Sequence, residues 1–207
     1  MRIIGYIGIF AAVTCLIVTA DVTYAAVGCE LNDPDRDIKR AFPDATGYKT
    51  DFLTIKEMGG APLKEELETK LGDKFDEVYE TVDVPYAYYS VLKGTNVIGR
   101  MHGVNQKGKY GGMQLIISTG LDGRIVHFYY QKISSPEAKK FRADNFTKQF
   151  IGLSLEDFMN SAVPDGKIGK IKDPTEKSAE DFKSTIRGLK KNVLMLDQFV
   201  NKAKKNI

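Results

Sequence analysis

The fold is decided by residues 86–133, which read YAYYSVLKGTNVIGRMHGVNQKGKYGGMQLIISTGLDGRIVHFYYQKI. Four runs in this stretch are rich in aromatic and β-branched side chains, which is typical of strands. These runs are residues 86–92, 97–104, 113–119 and 124–133. Residues 93–96 form a turn, and Asp122-Gly123 supplies the positive φ that a tight hairpin turn needs. We therefore expect two antiparallel hairpins in one twisted sheet, with two faces to be covered.

Helical patterns flank this sheet on both sides in the sequence. Asp33-Pro34 offers a cap and a preset first turn for a short helix, and residues 62–71 carry leucines at a four-residue spacing. Residues 51–58 are expected to be extended. A helix is expected to begin at Ser135-Pro136 and run to Phe150, and apolar positions over residues 178–204 predict a long closing helix. The fold class predicted is α+β, with residues 29–85 as an N-terminal extension and residues 86–207 as the main domain.

The N-terminus has the features of a targeting segment. Residues 3–20 contain no charge and follow Arg2, which is the pattern of a secretory signal. The same run is at the lower length limit for a retained membrane anchor. A third alternative is a lipoprotein, because small residues precede Cys29. All three place residues 29–207 in the periplasm or another extracytoplasmic compartment, with membrane association through the N-terminus in two of them.

Composition excludes several function classes. The chain has 207 residues, 43% hydrophobic and 28% charged, with a formal net charge of +3 and no basic face or module for nucleic acid. Its cysteines are Cys15 and Cys29, so no thiol chemistry or cysteine metal site is available after residue 29. His102 and His127 are interpreted as strand residues. No phosphate-binding loop, dinucleotide fingerprint or nucleophile elbow occurs in the sequence.

Two segments are candidates for ligand binding. The glycine-rich connection of residues 103–112 brings together backbone amides and lysines that are suited to hold an anion, but its composition favours a flexible hairpin connection. Residues 134–137 combine a strand end with a helix start, where amides and hydroxyls hold a phosphate or carbonyl or simply cap the helix. The candidate residues are Lys109, Tyr110, Gly111, Gly112, Ser134, Ser135, Pro136 and Glu137.

Residues 109–126, KYGGMQLIISTGLDGRIV, resemble the FMN-binding domain family that includes the flavin subunits of Rnf and sodium-translocating NADH:quinone reductase complexes. That family has a glycine-bearing strand, an Asp-Gly hairpin, a second strand, and then a Glu-Thr-Pro loop and a helix. Residues 134–137, SSPE, occupy the place of the loop, and residues 146–155, FTKQFIGLSL, resemble the family's Phe, Gln-Phe, Gly, Leu run. The resemblance covers about residues 86–200.

The resemblance implies a noncovalently held FMN and a role as an electron carrier with redox partners at a membrane. The family's flavinylation motif, Ser-Gly-Ala-Thr, is absent, because residues 173–179 read DPTEKSA. Thr175 and Ser178 are the nearby hydroxyls and are included among the candidate cofactor-binding residues, with Ser178 also suited to cap the closing helix. The alternative is a cofactor-free accessory or interaction subunit that keeps the fold.

Overall fold

The computed structural model describes residues 30–205, with side chains up to residue 200 apart from Pro164. The predicted signal, anchor and lipidation sites in residues 1–29 lie outside the described residues. None of the described helices combines the length and the apolar composition needed to cross a bilayer.

One antiparallel sheet of five strands, arranged in chain order, organises the structure. The two hairpins expected from residues 86–133 are confirmed, and a further strand pairs with the first of them, with Gly47 opposite Leu92. The strands are β1 (Gly47–Leu53), β2 (Tyr86–Lys93), β3 (Asn96–Gly108), β4 (Gly111–Thr119) and β5 (Ile125–Ile133).

Short helices and one long helix surround the sheet. They are α1 (Pro34–Ala41), α2 (Ile55–Met58), α3 (Gly60–Leu71), α4 (Ala138–Phe141), α5 (Asp144–Thr147), α6 (Leu155–Met159) and α7 (Ala179–Lys205), with 3-10 turns at Lys148–Phe150 and Val163–Asp165. The predicted start of α1 is confirmed, because Asp33 caps it by accepting a hydrogen bond from the Arg36 amide. The α+β fold with a long C-terminal helix is therefore shown.

Two of the predicted elements are wrong in their extent. Residues 51–58 are not extended throughout: β1 ends at Leu53 because Thr54 and Glu57 form a capping box that starts α2. The helix expected from Ser135 to Phe150 is instead two single-turn helices and a 3-10 turn. It breaks at Ala143, whose ψ of 140° is extended.

The two faces of the sheet are covered by different helices. On one face α7 packs so closely that a Cβ on Gly188 would lie 2.2 Å from Leu115. On the other face Phe42, at the end of α1, lies against Gly99, where a Cβ would come within 2.3 Å of the Phe42 ring. Strand β1 precedes residue 85, the predicted end of the N-terminal extension, and pairs with β2, which follows it. The leucines of α3 belong to the same hydrophobic core as the apolar residues of α7.

Candidate functional site

Three segments chosen from the sequence meet where α7 begins. The turn at Lys109-Tyr110 joins β3 to β4, and the Lys109 amide donates to Asp181 Oδ1 at 2.8 Å in the first turn of α7. Gly111 has a φ of 133°, and a Cβ there would lie 3.0 Å from the Cβ of Ser134. The glycine therefore permits the close approach of the β3–β4 turn to the loop that follows β5.

That loop in turn holds the segment that leads into α7. Ser135 Oγ donates to Ser178 Oγ at 3.4 Å, and the carboxylate of Glu137 accepts the amides of Glu176 at 3.2 Å and Lys177 at 2.9 Å. We call this group of segments, residues 108–112, 134–137 and 173–181, the α7 junction. Pro136 lies in the turn before α4, and α4 itself is only four residues long.

Glu137 occupies the anion position of the α7 junction. Lys140 Nζ lies 2.9 Å from Glu137 Oε1, and the carboxylate also takes the two backbone amides. The hydrogen bond from Lys140 and then that from the Lys177 amide hold the pKa of Glu137 at about 2, against an ordinary value of 4.5. The carboxylate is therefore ionised at neutral pH, and it satisfies donors that a phosphate would otherwise use.

Two lysines, Lys109 in the α7 junction and Lys140 just outside it, are already paired with acids. Lys109 Nζ lies 2.9 Å from Glu180 Oε1, and Lys140 Nζ lies 2.8 Å from Glu176 Oε1. Asp181 is fully buried, and its Oδ2 atom has no hydrogen-bond partner among the described residues. The junction thus presents an excess of carboxylates to any incoming anion.

The remaining sequence candidates make local contacts. Thr175 Oγ1 donates to Asp173 Oδ1 at 2.6 Å, and Ser178 is buried directly before α7. Tyr110 is 49% exposed with the Lys109 ammonium 5.8 Å from its ring centre. A Cβ on Gly112 would face the hydroxyl of Tyr79 at 3.5 Å. The candidates that come together at the α7 junction are therefore Lys109, Gly111, Ser134, Ser135, Glu137 and Ser178.

The sequence suggested that residues 134–137 hold a phosphate, and the ionised carboxylate of Glu137 opposes an anion there. The amides of Glu176 and Lys177 are committed to Glu137, and a phosphate beside Glu137 would meet a like charge. Residues 30–205 also contain no cluster of three His, Asp or Glu side chains suited to a metal ion.

A second concave site, which the sequence analysis missed, lies far along α7. It is a cavity of about 400 Å³ that reaches α7 at Val193, some 14 residues, or about 21 Å, beyond the start of that helix. No motif marks it, because its walls come from four separated segments. A sequence signal exists only in retrospect, in Arg100 within β3 and Arg124 directly before β5. We call it the hairpin cavity; it is lined by Arg100, Thr119, Leu121, Asp122, Gly123, Arg124, Ser154, Leu155, Glu156, Val193, Leu196, Asp197 and Val200.

No protein-family model and no curated protein matches this sequence.

Proposed function

We propose that this protein is a cofactor-free accessory domain, which keeps a scaffold resembling FMN-binding domains and serves a membrane-associated redox assembly as an interaction subunit. The observation that carries the proposal is the Glu137 carboxylate, which accepts the amides of Glu176 and Lys177 and brings a negative charge to residues 134–137, where a phosphate was expected. A domain whose own side chain fills that position needs no ligand there to satisfy its backbone donors.

The electrostatics of the α7 junction support the same proposal. A phosphate ester brings close to two negative charges, and it would have to displace an ionised carboxylate that Lys140 already neutralises. Displacing Glu137 would leave Lys140 paired with Glu176, whose amide would lose its acceptor. The charge of Glu137 thus opposes phosphate binding at residues 134–137.

Partners of the accessory domain are expected at a membrane, because the sequence begins with a segment typical of export or anchoring. Affinity isolation from native membranes tests this part. An accessory subunit should recover a redox protein in a fixed molar ratio, whereas isolation of this chain alone would contradict the role.

The second candidate function is an electron carrier with noncovalent FMN. One specific observation favours it: three segments picked from the resemblance, far apart in sequence, meet at a single junction. Residues Lys109, Gly111, Ser135 and Ser178 would be those nearest the flavin.

Titration of the purified protein with FMN separates the two functions. The accessory domain should show no saturable quenching of flavin fluorescence, while saturable one-to-one binding by the unaltered protein would favour the carrier. Glu137→Gln removes the resident charge and should raise affinity for FMN or inorganic phosphate above that of the unaltered protein. Glu176→Gln is the matched control, since it also removes an acid paired with Lys140 but leaves the two amides covered.

A further inference from the structure

The hairpin cavity combines two features that small-molecule sites share, an apolar floor and a few converging polar groups. Its floor is formed by Val193 and Leu196 of α7, which are 4% and 5% exposed, together with Leu155 at the start of α6. Leu121 stands at the rim on the β4–β5 turn and is 59% exposed. The volume of about 400 Å³ suits a single small molecule.

Arg100 and Thr119 form the polar end of this cavity. They are directly opposite each other in the β3–β4 register, which places their Cβ atoms about 5 Å apart on one face of the sheet. Arg100 Nε donates to the Tyr88 hydroxyl at 2.8 Å, and this hydrogen bond fixes the orientation of the guanidinium. A guanidinium held in this way is suited to bind a carboxylate through two parallel hydrogen bonds.

The Thr119 hydroxyl lacks a partner within the cavity wall. Thr119 is 1% exposed, and its Oγ1 atom forms no hydrogen bond with any described residue. A buried hydroxyl without a partner costs free energy that a ligand acceptor would recover.

Charges of both signs surround the opening. Arg124 Nη1 donates to the Gly152 carbonyl at 2.7 Å and lies 3.9 Å from Asp157, so it is held at the wall. Three acids complete the lining: Asp122, Glu156 and Asp197. A simple anion would meet three carboxylates and a simple cation two guanidinium groups, so the lining favours a molecule that carries both charges.

We infer that the hairpin cavity binds a zwitterionic α-amino acid with an apolar side chain. Its carboxylate accepts hydrogen bonds from Arg100 and Thr119, its ammonium group faces the acids at the opening, and its side chain lies on Val193 and Leu196. This site goes beyond the proposed accessory function and does not depend on it, because none of its residues belongs to the α7 junction.

Three isosteric probes test the ligand class by isothermal titration calorimetry on the purified protein at pH 7. They are L-leucine, 4-methylpentanoate, which lacks the amine, and 3-methylbutylamine, which lacks the carboxylate. Leucine should bind with one-to-one stoichiometry, and each analogue should bind about tenfold more weakly or worse, because it loses charge-assisted hydrogen bonds. Absence of leucine binding at millimolar concentration, or equal binding of either analogue, would overturn the inference.

A pair of variants tests the position of the site. Thr119→Val keeps the side-chain volume and should weaken leucine binding about tenfold through the lost hydroxyl. Ser118→Ala is the matched control: Ser118 is also fully buried with an unpartnered hydroxyl, but it is not part of the cavity lining. Equal leucine affinity in the two variants would place the ligand elsewhere. The probe series decides the ligand class in the unaltered protein even if a variant fails to fold.

Discussion

Replacing Glu80 by glutamine should lower the free energy of unfolding by about 3–5 kcal/mol, because it removes a carboxylate that pairs with a buried cation. Glu80 is 1% exposed and lies against Arg187 and Lys191 of α7. Its carboxylate accepts hydrogen bonds from Arg187 Nη1 at 2.9 Å and Nη2 at 3.0 Å, from the Asp76 amide at 2.6 Å, and from Lys191 Nζ. Four donors thus converge on one side chain.

The size of the effect depends on which partner is left behind. Arg187 keeps Asp73 at 2.6 Å and Gln106 at 2.8 Å, so it stays compensated. Lys191 is 1% exposed and loses this carboxylate, which makes it the main source of the cost. Since a domain is typically stable by only 5–15 kcal/mol in all, the change should be large in any unfolding experiment.

Urea denaturation followed by circular dichroism measures the effect at pH 7. Glu77→Gln, at an exposed neighbouring acid, is the control and should stay within about 0.5 kcal/mol of the unaltered protein. The double variant Glu80→Gln with Lys191→Met should recover most of the loss, because it removes both buried charges. A loss below about 1 kcal/mol in Glu80→Gln would refute the reasoning, since it would mean that the buried charge of Lys191 costs almost nothing.

The pH dependence of the free energy of unfolding provides an independent test of the role of Glu80. Burial alone would raise the pKa of Glu80, but the charges of Lys191 and Arg187 outweigh it and hold the pKa below the ordinary 4.5. A carboxylate whose pKa is lower in the folded state than in the unfolded state stabilises the fold at pH values above the unfolded-state pKa. This contribution is lost as the pH falls through the folded-state pKa. The deficit of Glu80→Gln should therefore shrink below pH 4.5, and a deficit that is constant down to acid pH would contradict the assignment.

Three further predictions concern stability. Burial lowers the pKa of His102 from 6.5 to about 4, so the protein should lose about 3 kcal/mol between pH 6.5 and 4, and His102→Gln should flatten this part of the stability curve; an unchanged slope would count against it. Gly188→Ala should lower the melting temperature by the equivalent of about 1–3 kcal/mol despite the better helix propensity of alanine, because its Cβ would overlap Leu115; a rise in melting temperature would contradict the close packing. Asp33→Ala should cost about 1 kcal/mol in urea unfolding by removing the cap from the Arg36 amide, while Asp33→Asn should retain most of it.

Most of the sheet could be predicted because each strand and turn is specified by residues that are neighbours in the sequence. Alternating and β-branched runs fix each strand, and Asp122-Gly123 fixes one turn, so β2 to β5 follow from residues that are neighbours in sequence. Strand β1 carries Lys49 and Asp51 on an edge and lacks that apolar pattern, and its pairing with β2 depends on tertiary contacts. The helix expected to Phe150 was wrong for a similar reason: the aromatic residues that suggested one helical face instead pack together from separate turns.

The sites show the same division between local and distant information. Glycines and hydroxyls pointed to the α7 junction, since residues of these types favour turns and helix starts. The Glu137 carboxylate accepts the amides of Glu176 and Lys177, which are 39 and 40 residues away in the sequence. No local sequence pattern predicts hydrogen bonds over such separations. The hairpin cavity could not be predicted from the sequence for the same reason, because Arg100 and Thr119 become neighbours only through the register of β3 and β4.

The flavin content of the protein isolated from flavin-replete membranes tests the accessory role most directly. Flavin released by acid and heat is quantified by fluorescence against protein concentration, and intact mass is measured on the same sample. If Glu137 fills the anion position of the α7 junction, the ratio of flavin to protein should be close to zero and the mass should contain no FMN. A ratio near one would contradict the account and assign the chain to electron transfer.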